Sequence, residues 1–339
     1  MLSTQKLHLT KQELDNIFSK FAETKVLVIG DVMLDSYWWG KVERISPEAP
    51  VPVVNVSKRE YRLGGAANVA LNLRKLGAQP TVCAVVGKDV EGDVLVNLLG
   101  AEGISADGII YTENRPTTVK TRVIGNKNQL LRIDAEECDL LPEEENFKLT
   151  ERIKSLLENT DLVLFEDYDK GVICEKLIQE IVQAAREKNI PVVVDPKKRN
   201  FLHYKNVTLF KPNLRELADG LKLDIDSQSS ITEIEEATKI LLQRLQSDMA
   251  MITLSERGVY IADEKNAFLL PAHVRNIYDV SGAGDTVISV AALALQAGAN
   301  TQTIAALANL AGGLVCEKLG VVPIDAGELY TEAEREICC

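Results

Sequence analysis

Short apolar runs alternate with longer amphipathic stretches along most of this 339-residue chain. A short apolar run rich in β-branched residues predicts a buried strand, whereas apolar positions that recur with the spacing of a helical turn predict a helix. The predicted strands are residues 26–29, 81–85, 162–165, 191–194, 207–210 and 249–253. The predicted helices are residues 68–76, 143–158, 174–188, 231–246, 283–297 and 301–318.

Strands that alternate with helices are typical of a mostly parallel sheet covered by helices on both faces. The pattern therefore predicts an α/β fold, a three-layer α/β/α sandwich. Three further apolar stretches have no helix between them and predict extra antiparallel strands at residues 51–56, 117–124 and 129–133, the last two joined by a turn at 125–128.

These extra strands predict a small β-sheet lid, inserted at about 37–60 and 110–134 into a single domain that spans residues 1–339. A separate sheet of this kind can close over a cleft, and its edges can pair with another chain. We therefore expect a homodimer that forms through the lid strands.

Composition narrows the classes of partner. The chain carries 50 acidic and 38 basic residues, a net charge of -12, which argues against a broad surface for nucleic-acid phosphates but not against a small anionic ligand. The six cysteines contain no C-x-x-C pair, so a zinc site is not expected. Cys338 and Cys339 are interpreted as terminal thiols without a role. The polar start of the chain, residues 1–15, and the lack of any long apolar run predict a cytoplasmic protein with no membrane partner.

The segment Gly282-Ala283-Gly284-Asp285 lies where a loop turns into the helix predicted at 283–297. The first amides of a helix lack intrahelical partners and lie at the positive end of its dipole, so this start can hold a transferring phosphoryl group. Asp285 is then placed to accept the proton of an attacking hydroxyl. An ordinary helix cap with an acidic first turn explains the same residues, and the segment alone does not separate the two interpretations.

A second glycine-rich segment, Gly64-Gly65-Ala66-Ala67-Asn68, opens the helix predicted at 68–76. Paired glycines let backbone amides approach sugar hydroxyls, and the Asn68 amide offers both a donor and an acceptor. A tight helix entry with Asn68 in solvent is the simpler alternative, and the segment alone favours it.

Taken together, in this order and at these positions, the two segments resemble the signature patterns of the ribokinase/PfkB carbohydrate kinases. The resemblance extends over nearly the whole chain through Gly30-Asp31, Asp195-Pro196, Lys211-Pro212-Asn213 with Glu216, and residues 253–258. It implies a ribokinase-like fold and an ATP-dependent carbohydrate kinase.

Roles carried over from this family apply to the matching positions. The resemblance implies that Asp285 is the catalytic base at a helix start made by Gly282, Ala283 and Gly284. It implies that Mg²⁺ is organised through water by Asn213 and Glu216. The implied ATP site is lined by Asn213, Thr253, Gly258, Gly282, Gly284 and Asn309. The residues expected to hold sugar hydroxyls are Asp35, Gly64, Gly65, Asn68 and Asp167.

A finer resemblance concerns the substrate. Residues 44–54, 130–134 and 167–171 are similar to the D-glycero-D-manno-heptose 7-phosphate kinases of lipopolysaccharide inner-core synthesis, although Asp169 and Ser281 depart from the expected pattern. It implies transfer of the ATP γ-phosphoryl group to O1, which gives the 1,7-bisphosphate. The substrate phosphate requires a cation, and the candidates are Arg132, which is preferred for its bidentate fork, Lys170 and Lys197. Because no His-x-Gly-His segment of a fused nucleotidyltransferase occurs, we expect the kinase domain alone.

Three alternatives remain open. A kinase for another sugar, sugar phosphate or nucleoside would share the ATP residues and differ in the lid. A dinucleotide-binding oxidoreductase shares the strand and helix alternation, but residues 282–284 lack the third glycine of G-x-G-x-x-G and do not follow the first strand. A sugar-binding regulator without activity is disfavoured because the candidate base and metal residues are present.

Overall fold

The computed structural model describes residues 7, 9–273, 277–318 and 320–338 of the chain. Residues 1–6 and 8 of the polar start, together with Cys339, lie outside the described residues. The helices are α1 (Lys11–Phe21), α2 (Ala66–Lys75), α3 (Val90–Ala101), α4 (Glu143–Leu156), α5 (Glu175–Glu187), α6 (Leu214–Leu221), α7 (Ile231–Leu245), α8 (Ala283–Gln296), α9 (Thr301–Cys316) and α10 (Ala326–Glu336). The strands are β1 (Lys25–Gly30), β2 (Val32–Ile45), β3 (Pro52–Gly65), β4 (Gln79–Gly87), β5 (Ser105–Thr112), β6 (Val119–Gly125), β7 (Asn128–Ala135), β8 (Leu162–Glu166), β9 (Val192–Asp195), β10 (Leu209–Phe210), β11 (Met249–Thr253), β12 (Val259–Asp263) and β13 (Ala267–Leu270).

Nine strands form the main sheet in the order β13-β12-β11-β10-β9-β8-β1-β4-β5. All neighbouring pairs from β11 to β5 are parallel, whereas β12 and β13 add an antiparallel edge. Alternate residues of β1 enter two separate cores: Val28 belongs to a core that includes residues of α2, α8 and α9, and Ile29 belongs to a core that includes residues of α4, α5 and α7. The sheet is therefore covered on both faces, and the predicted three-layer α/β/α sandwich with a mostly parallel sheet is confirmed.

The remaining four strands form a second sheet, here called the lid sheet, in the order β3-β2-β6-β7. Asn126 and Lys127 both have positive φ, 52° and 70°, as the tight turn between β6 and β7 requires. The lid sheet occupies residues 32–65 and 119–135. The predicted insertions were thus too short at the first site and began too early at the second, because residues 110–112 belong to β5 of the main sheet.

The carboxyl ends of the parallel strands meet at one edge of the main sheet, where ligands bind in open α/β folds. The segments that leave β1, β8, β9 and β10 at this edge carry the polar residues of the candidate site. Helix α8 begins at the same place. Among the described residues, no helix is both long and apolar enough to cross a membrane.

Candidate active site

Asp285 lies in the first turn of α8, and its side chain is buried. The helix is entered through Gly282, whose φ of 79° is left-handed; a Cβ atom there would lie 3.1 Å from Val321 Cγ1 and 3.4 Å from Asn68 Nδ2. Both the backbone conformation and the lack of space therefore favour glycine at this position. The sharp entry directs the Asp285 carboxylate toward α2 and the carboxyl end of β8.

Two donors hold the Asp285 carboxylate. The Asn68 amide donates to Oδ2 at 2.6 Å, and the Tyr168 hydroxyl donates to Oδ1 at 2.9 Å. The two partners come from the start of α2 and from the loop after β8. Segments that are far apart in the chain thus meet at one carboxylate.

Burial raises the pKa of Asp285 to about 6, and the nearby Asp195 carboxylate acts in the same direction. The hydrogen bonds from Asn68 and Tyr168 and the charge of Lys211 oppose this effect because they favour the ionised form. Asp285 is therefore mostly ionised at neutral pH and keeps an affinity for protons close to that of an effective general base.

Glu166, the last residue of β8, lies beside Asp195 in the register of β8 and β9. Its side chain is buried, and among the described residues its Oε2 atom has no hydrogen-bond partner. Burial raises the pKa of Glu166 well above its usual value, and the charges of Asp195 and Asp285 raise it further. The site therefore contains a second buried carboxyl group whose environment differs from that of Asp285.

Two lysines lie among these carboxylates. Lys211 Nζ is 2.7 Å from Asp195 Oδ2, and a Cβ atom at Gly284 would lie 3.9 Å from both atoms, so the start of α8 faces this ion pair. Lys197 Nζ is 2.7 Å from Glu216 Oε1 and 5.2 Å from the centroid of the Tyr168 ring. Lys197 is thus located between Glu216 and Tyr168, the tyrosine that donates to Asp285.

Asn213 and Glu216 form the N-terminal capping box of α6. The Glu216 amide donates to Asn213 Oδ1 at 2.8 Å, and the Asn213 amide donates to Glu216 Oε2 at 2.8 Å. The box fixes an amide oxygen and a carboxylate at the carboxyl edge of the sheet, where Mg²⁺ would find the oxygen donors that it prefers. These residues therefore fit a magnesium ion held through water, with Lys197 as a competing partner of Glu216.

The residues expected at the nucleotide come from neighbouring segments. Thr253, at the end of β11, forms a β-bridge with Asn213. Gly258 has φ of 90°, and a Cβ atom there would lie 2.0 Å from the carbonyl oxygen of Leu270; Asn309 Nδ2 donates to the carbonyl of Pro271 at 2.8 Å. Gly258 and Asn309 therefore both contact the segment that follows β13.

On the sugar side, Asp35 of β2 and Gly64 of β3 lie next to each other, since a Cβ atom at Gly64 would lie 2.7 Å from Asp35 Oδ2. Asp35 is buried and forms an ion pair with Arg122 of β6. Gly65 and Asn68 follow at the start of α2, where Gly65 has φ of 58°. The lid sheet and Asp285 are thus connected directly through the β3–α2 junction.

A model of the pfkB family carbohydrate kinases matches residues 23–325 of the chain. The chain belongs to this family. It is 42% identical over 318 residues to the bifunctional protein HldE of Pseudomonas aeruginosa (strain LESB58) and 40% identical over 319 residues to that of Desulfatibacillum aliphaticivorans. These matches cover 94% of this chain and 65% of each relative, so the chain spans a little less than two thirds of the length of these curated relatives.

Solved kinases share the fold. The tetrameric inhibited form of phosphofructokinase-2 from Escherichia coli matches with a TM-score of 0.75 and 18% identity over 92% of this chain and 99% of that chain. Arabidopsis thaliana ribokinase complexed with ribose and ATP matches with a TM-score of 0.70 and 17% identity over 91% and 98%. The predicted membership of the ribokinase/PfkB superfamily is confirmed, and the protein is a carbohydrate kinase.

Asp167 is placed differently from the expectation that it holds a sugar hydroxyl in this kinase. Its side chain is completely buried, and it accepts hydrogen bonds from Asn200 Nδ2, Tyr204 Oη and the Asp169 amide at 3.0, 2.8 and 2.9 Å. Its oxygens are therefore used inside the fold, away from the cleft. The neighbouring Tyr168, which the sequence reasoning did not select, is the residue of this segment that reaches Asp285.

The three cations proposed for a substrate phosphate are separated in the structure. Lys197 lies beside Glu216 and the ring of Tyr168, and Lys170 Nζ is 2.7 Å from Glu136 Oε1. Arg132 of β7 is 52% exposed and pairs with Asp134 in the same strand, at 2.9 Å between Nε and Oδ1. Arg132 lies directly opposite Arg122 in the register of β6 and β7, so both side chains project from the same face of the lid sheet as Asp35.

Tyr168, Glu166 and Arg122 were missed as site residues. Tyr168 and Glu166 flank the selected Asp167, so the sequence signal for this segment was present but was assigned to one residue only. Nothing in the sequence distinguishes Arg122 from the other cations of the lid, because only the pairing of β2 with β6 brings it next to Asp35.

Proposed function

We propose that this kinase transfers the γ-phosphoryl group of ATP to O1 of D-glycero-β-D-manno-heptose 7-phosphate and forms the 1,7-bisphosphate. The observation that carries the chemistry is the buried Asp285 carboxylate, held by two donors at the start of α8 with a pKa of about 6. A carboxylate in this state accepts the proton of the attacking hydroxyl as the new oxygen to phosphorus bond forms.

The start of α8 is proposed to hold the transferred group. The amides of Gly282, Ala283 and Gly284 belong to the positive end of the helix dipole, and Lys211 lies opposite Gly284. Lys197 is proposed to contact the phosphoryl group as well, because its ammonium group lies between Glu216 and the ring of Tyr168. We therefore move Lys197 from the sugar phosphate to the ATP phosphates.

Magnesium, when bound, would neutralise charge on the ATP phosphates and on the oxygens of the transferred group. Asn213 and Glu216 would hold it through water, with their oxygens oriented by the capping box of α6. Thr253, Gly258 and Asn309 remain the residues proposed to line the nucleotide.

The assignment to heptose 7-phosphate depends on the identity of about 40% to the HldE proteins and on the resemblance in residues 44–54. The cations of the lid sheet support a phosphorylated substrate. Arg122 and Arg132 lie directly opposite each other on two strands and concentrate positive charge on one face; Arg122 already pairs with Asp35 and Arg132 with Asp134, so a substrate phosphate would compete with these two carboxylates. We propose that Asp35, Gly64, Gly65 and Asn68 hold the sugar, and that Arg132 with Arg122 holds its phosphate.

The opposite face of the lid sheet is proposed to form a homodimer. Leu131 and Ile133 of β7 alternate with Arg132, so they project from that opposite face, where they are 55% and 47% exposed. Tyr61 of β3 lies on the same face, opposite Ser36, and is 38% exposed. Exposed apolar side chains on a paired sheet face are typical of a protein contact.

Coupled measurement of ADP release over a panel of phosphosugars and their unphosphorylated forms tests the assignment. We expect the highest kcat/KM with D-glycero-D-manno-heptose 7-phosphate and a product with phosphate at C1 by NMR. A higher kcat/KM with fructose 6-phosphate or a nucleoside would overturn the substrate. If no sugar of the panel supported ATP turnover, the kinase activity itself would be overturned.

A further inference from the structure

Tyr168 is held so that its hydroxyl meets the base. Its backbone amide donates to Asp31 Oδ2 at 2.9 Å, and the amides of Lys170 and Val172 donate to the same buried carboxylate at 3.1 Å each. The loop after β8 is therefore fixed by a side chain from the end of β1. Because the backbone is fixed, the phenol ring of Tyr168 reaches Asp285 Oδ1 from a defined direction, at 2.9 Å.

The surroundings of Tyr168 keep its hydroxyl a donor. Lys197 Nζ lies 5.2 Å from the centroid of the Tyr168 ring, within the range of a cation–π contact. Burial and the charges of Asp285, Glu166 and Asp195 raise the pKa of the Tyr168 hydroxyl well above its usual value, so the hydroxyl stays protonated and donates to the carboxylate. Asn68 holds the other oxygen of Asp285, so the carboxylate has one donor from each side.

We propose that Tyr168 is a positioning residue of this kinase, which orients the Asp285 carboxylate toward the attacking hydroxyl and keeps it ionised at neutral pH. This inference rests on the proposed role of Asp285 as the base. Tyr168 itself need not contact either substrate. Its function is to hold one lone-pair direction of Oδ1, so that the other remains open to the sugar.

The surroundings of Asp285 explain why such a donor is needed. Burial and the neighbouring carboxylates favour the protonated form, whereas Lys211 and the two hydrogen bonds favour the ionised form. The titratable and charged groups that face the base from the packed elements are Glu166 at the end of β8, Tyr168 after β8, Asp195 at the end of β9, Lys197 after β9 and Lys211 after β10. With the pKa already at about 6, the loss of one donor would move the titration into the working range of the enzyme.

The test is Tyr168→Phe, with Tyr204→Phe as a matched control. Both tyrosines donate to a buried carboxylate, at 2.9 and 2.8 Å, but Tyr204 donates to Asp167, outside the site. The pH dependence of kcat/KM is measured from pH 5 to 9 for wild type and both variants. Titration of the substrate phosphates is common to all three profiles, so only the difference between profiles reports the enzyme.

We expect Y168F to move the acidic limb of kcat/KM upward by about one pH unit, because the loss of a hydrogen bond to a charged group shifts its pKa by about this amount. The loss should approach tenfold at about pH 5, fall to about twofold at pH 7, and vanish toward pH 9, where Asp285 is ionised in both proteins. Y204F should leave the acidic limb in place. An unchanged acidic limb in Y168F, with or without a uniform loss at every pH, would show that Tyr168 does not keep Asp285 ionised and would overturn the inference.

A ligand-free measurement separates this result from a failure of the proposed function. The free energy of unfolding is compared between D285N and its parent as a function of pH, in the wild-type and Y168F backgrounds. The pH at which this difference in the free energy of unfolding reaches half of its full change reports the titration of Asp285. This pH should be higher in the Y168F background. If D285N remained active, the base assignment itself would be lost; if D285N were inactive and this pH did not move, only the role of Tyr168 would be lost.

Discussion

Replacement of Asp285 by asparagine removes a charge and a proton acceptor and leaves the shape of the side chain unchanged. The asparagine oxygen can accept from Asn68, and its amide can donate to the Tyr168 oxygen, because that hydroxyl can rotate and accept. Both hydrogen bonds of the wild-type carboxylate are therefore kept. The variant isolates the chemistry of the carboxylate from its packing.

The effect on activity and the effect on stability have opposite signs. Loss of a general base costs about 10² to 10⁴ in rate, so kcat should fall by at least about a hundredfold. For stability, the pKa of Asp285 is raised from its ordinary 3.8 to about 6 in the folded protein. The folded state thus binds the proton more tightly than the unfolded state, and stability is lost as the pH rises through about 6. A shift of roughly two units corresponds to about 3 kcal/mol at pH 8, which D285N would recover in part or in full.

Two assays on the same preparation check this prediction. Coupled ADP release gives kcat, and urea unfolding at pH 4 and pH 8 gives the free energy of unfolding. We expect D285N to be more stable than wild type at pH 8 and nearly equal to it at pH 4. Asp248→Asn is the matched control, because burial also raises the pKa of Asp248, which precedes β11 at the opposite edge of the sheet; its activity should not change. A D285N variant with more than about a tenth of wild-type kcat would refute the base, and one destabilised at pH 8 would refute the electrostatic reasoning.

Three further predictions concern the metal, the sugar phosphate and the dimer. Glu216→Gln keeps the capping box but loses the charge, so the Mg²⁺ concentration for half-maximal rate should rise more than the sugar KM; an unchanged Mg²⁺ dependence removes Glu216 from the site. Arg132→Ala should lower kcat/KM about ten- to several-hundredfold for heptose 7-phosphate and much less for unphosphorylated heptose. Equal losses for the two sugars would indicate that Arg122, and not Arg132, binds the substrate phosphate. Leu131→Asp should halve the mass in light scattering with activity at low protein concentration retained, and an unchanged mass excludes the lid-face dimer.

The main sheet was predictable because its strands are buried on both faces. In β8 all five residues are buried, and such a continuous apolar run stands out in the sequence. The lid strands gave a weaker signal, since half of the residues of β3 are exposed and its polar and apolar residues alternate only in part. Only the first residues of β3 were predicted for this reason. The antiparallel pair β12 and β13 was missed because no helix separates it from β11, so the alternation gave no sign of it.

The site was predictable only where one segment carries the chemistry. The glycine-rich start of α8 makes Asp285 recognisable in the sequence, but its hydrogen-bond partners Asn68 and Tyr168 are 217 and 117 positions away. The continuous burial of β8 also removed the usual guide to side-chain direction at its carboxyl end. Nothing in the sequence distinguishes Asp167, which turns into the core, from Tyr168, which turns toward the cleft.

Burial alone does not determine which carboxyl group of the site is the base. Glu166 and Asp285 are both buried, and burial raises the pKa of each. They differ in their donors: Asp285 receives hydrogen bonds from Asn68 and Tyr168, whereas Glu166 Oε2 receives none from the described residues. The two hydrogen bonds therefore support the ionised form of Asp285, whereas burial and the neighbouring carboxylates favour the protonated form of Glu166. This division makes the hydroxyl of Tyr168 part of the assignment of the base, because without it the two carboxyl groups would become more alike.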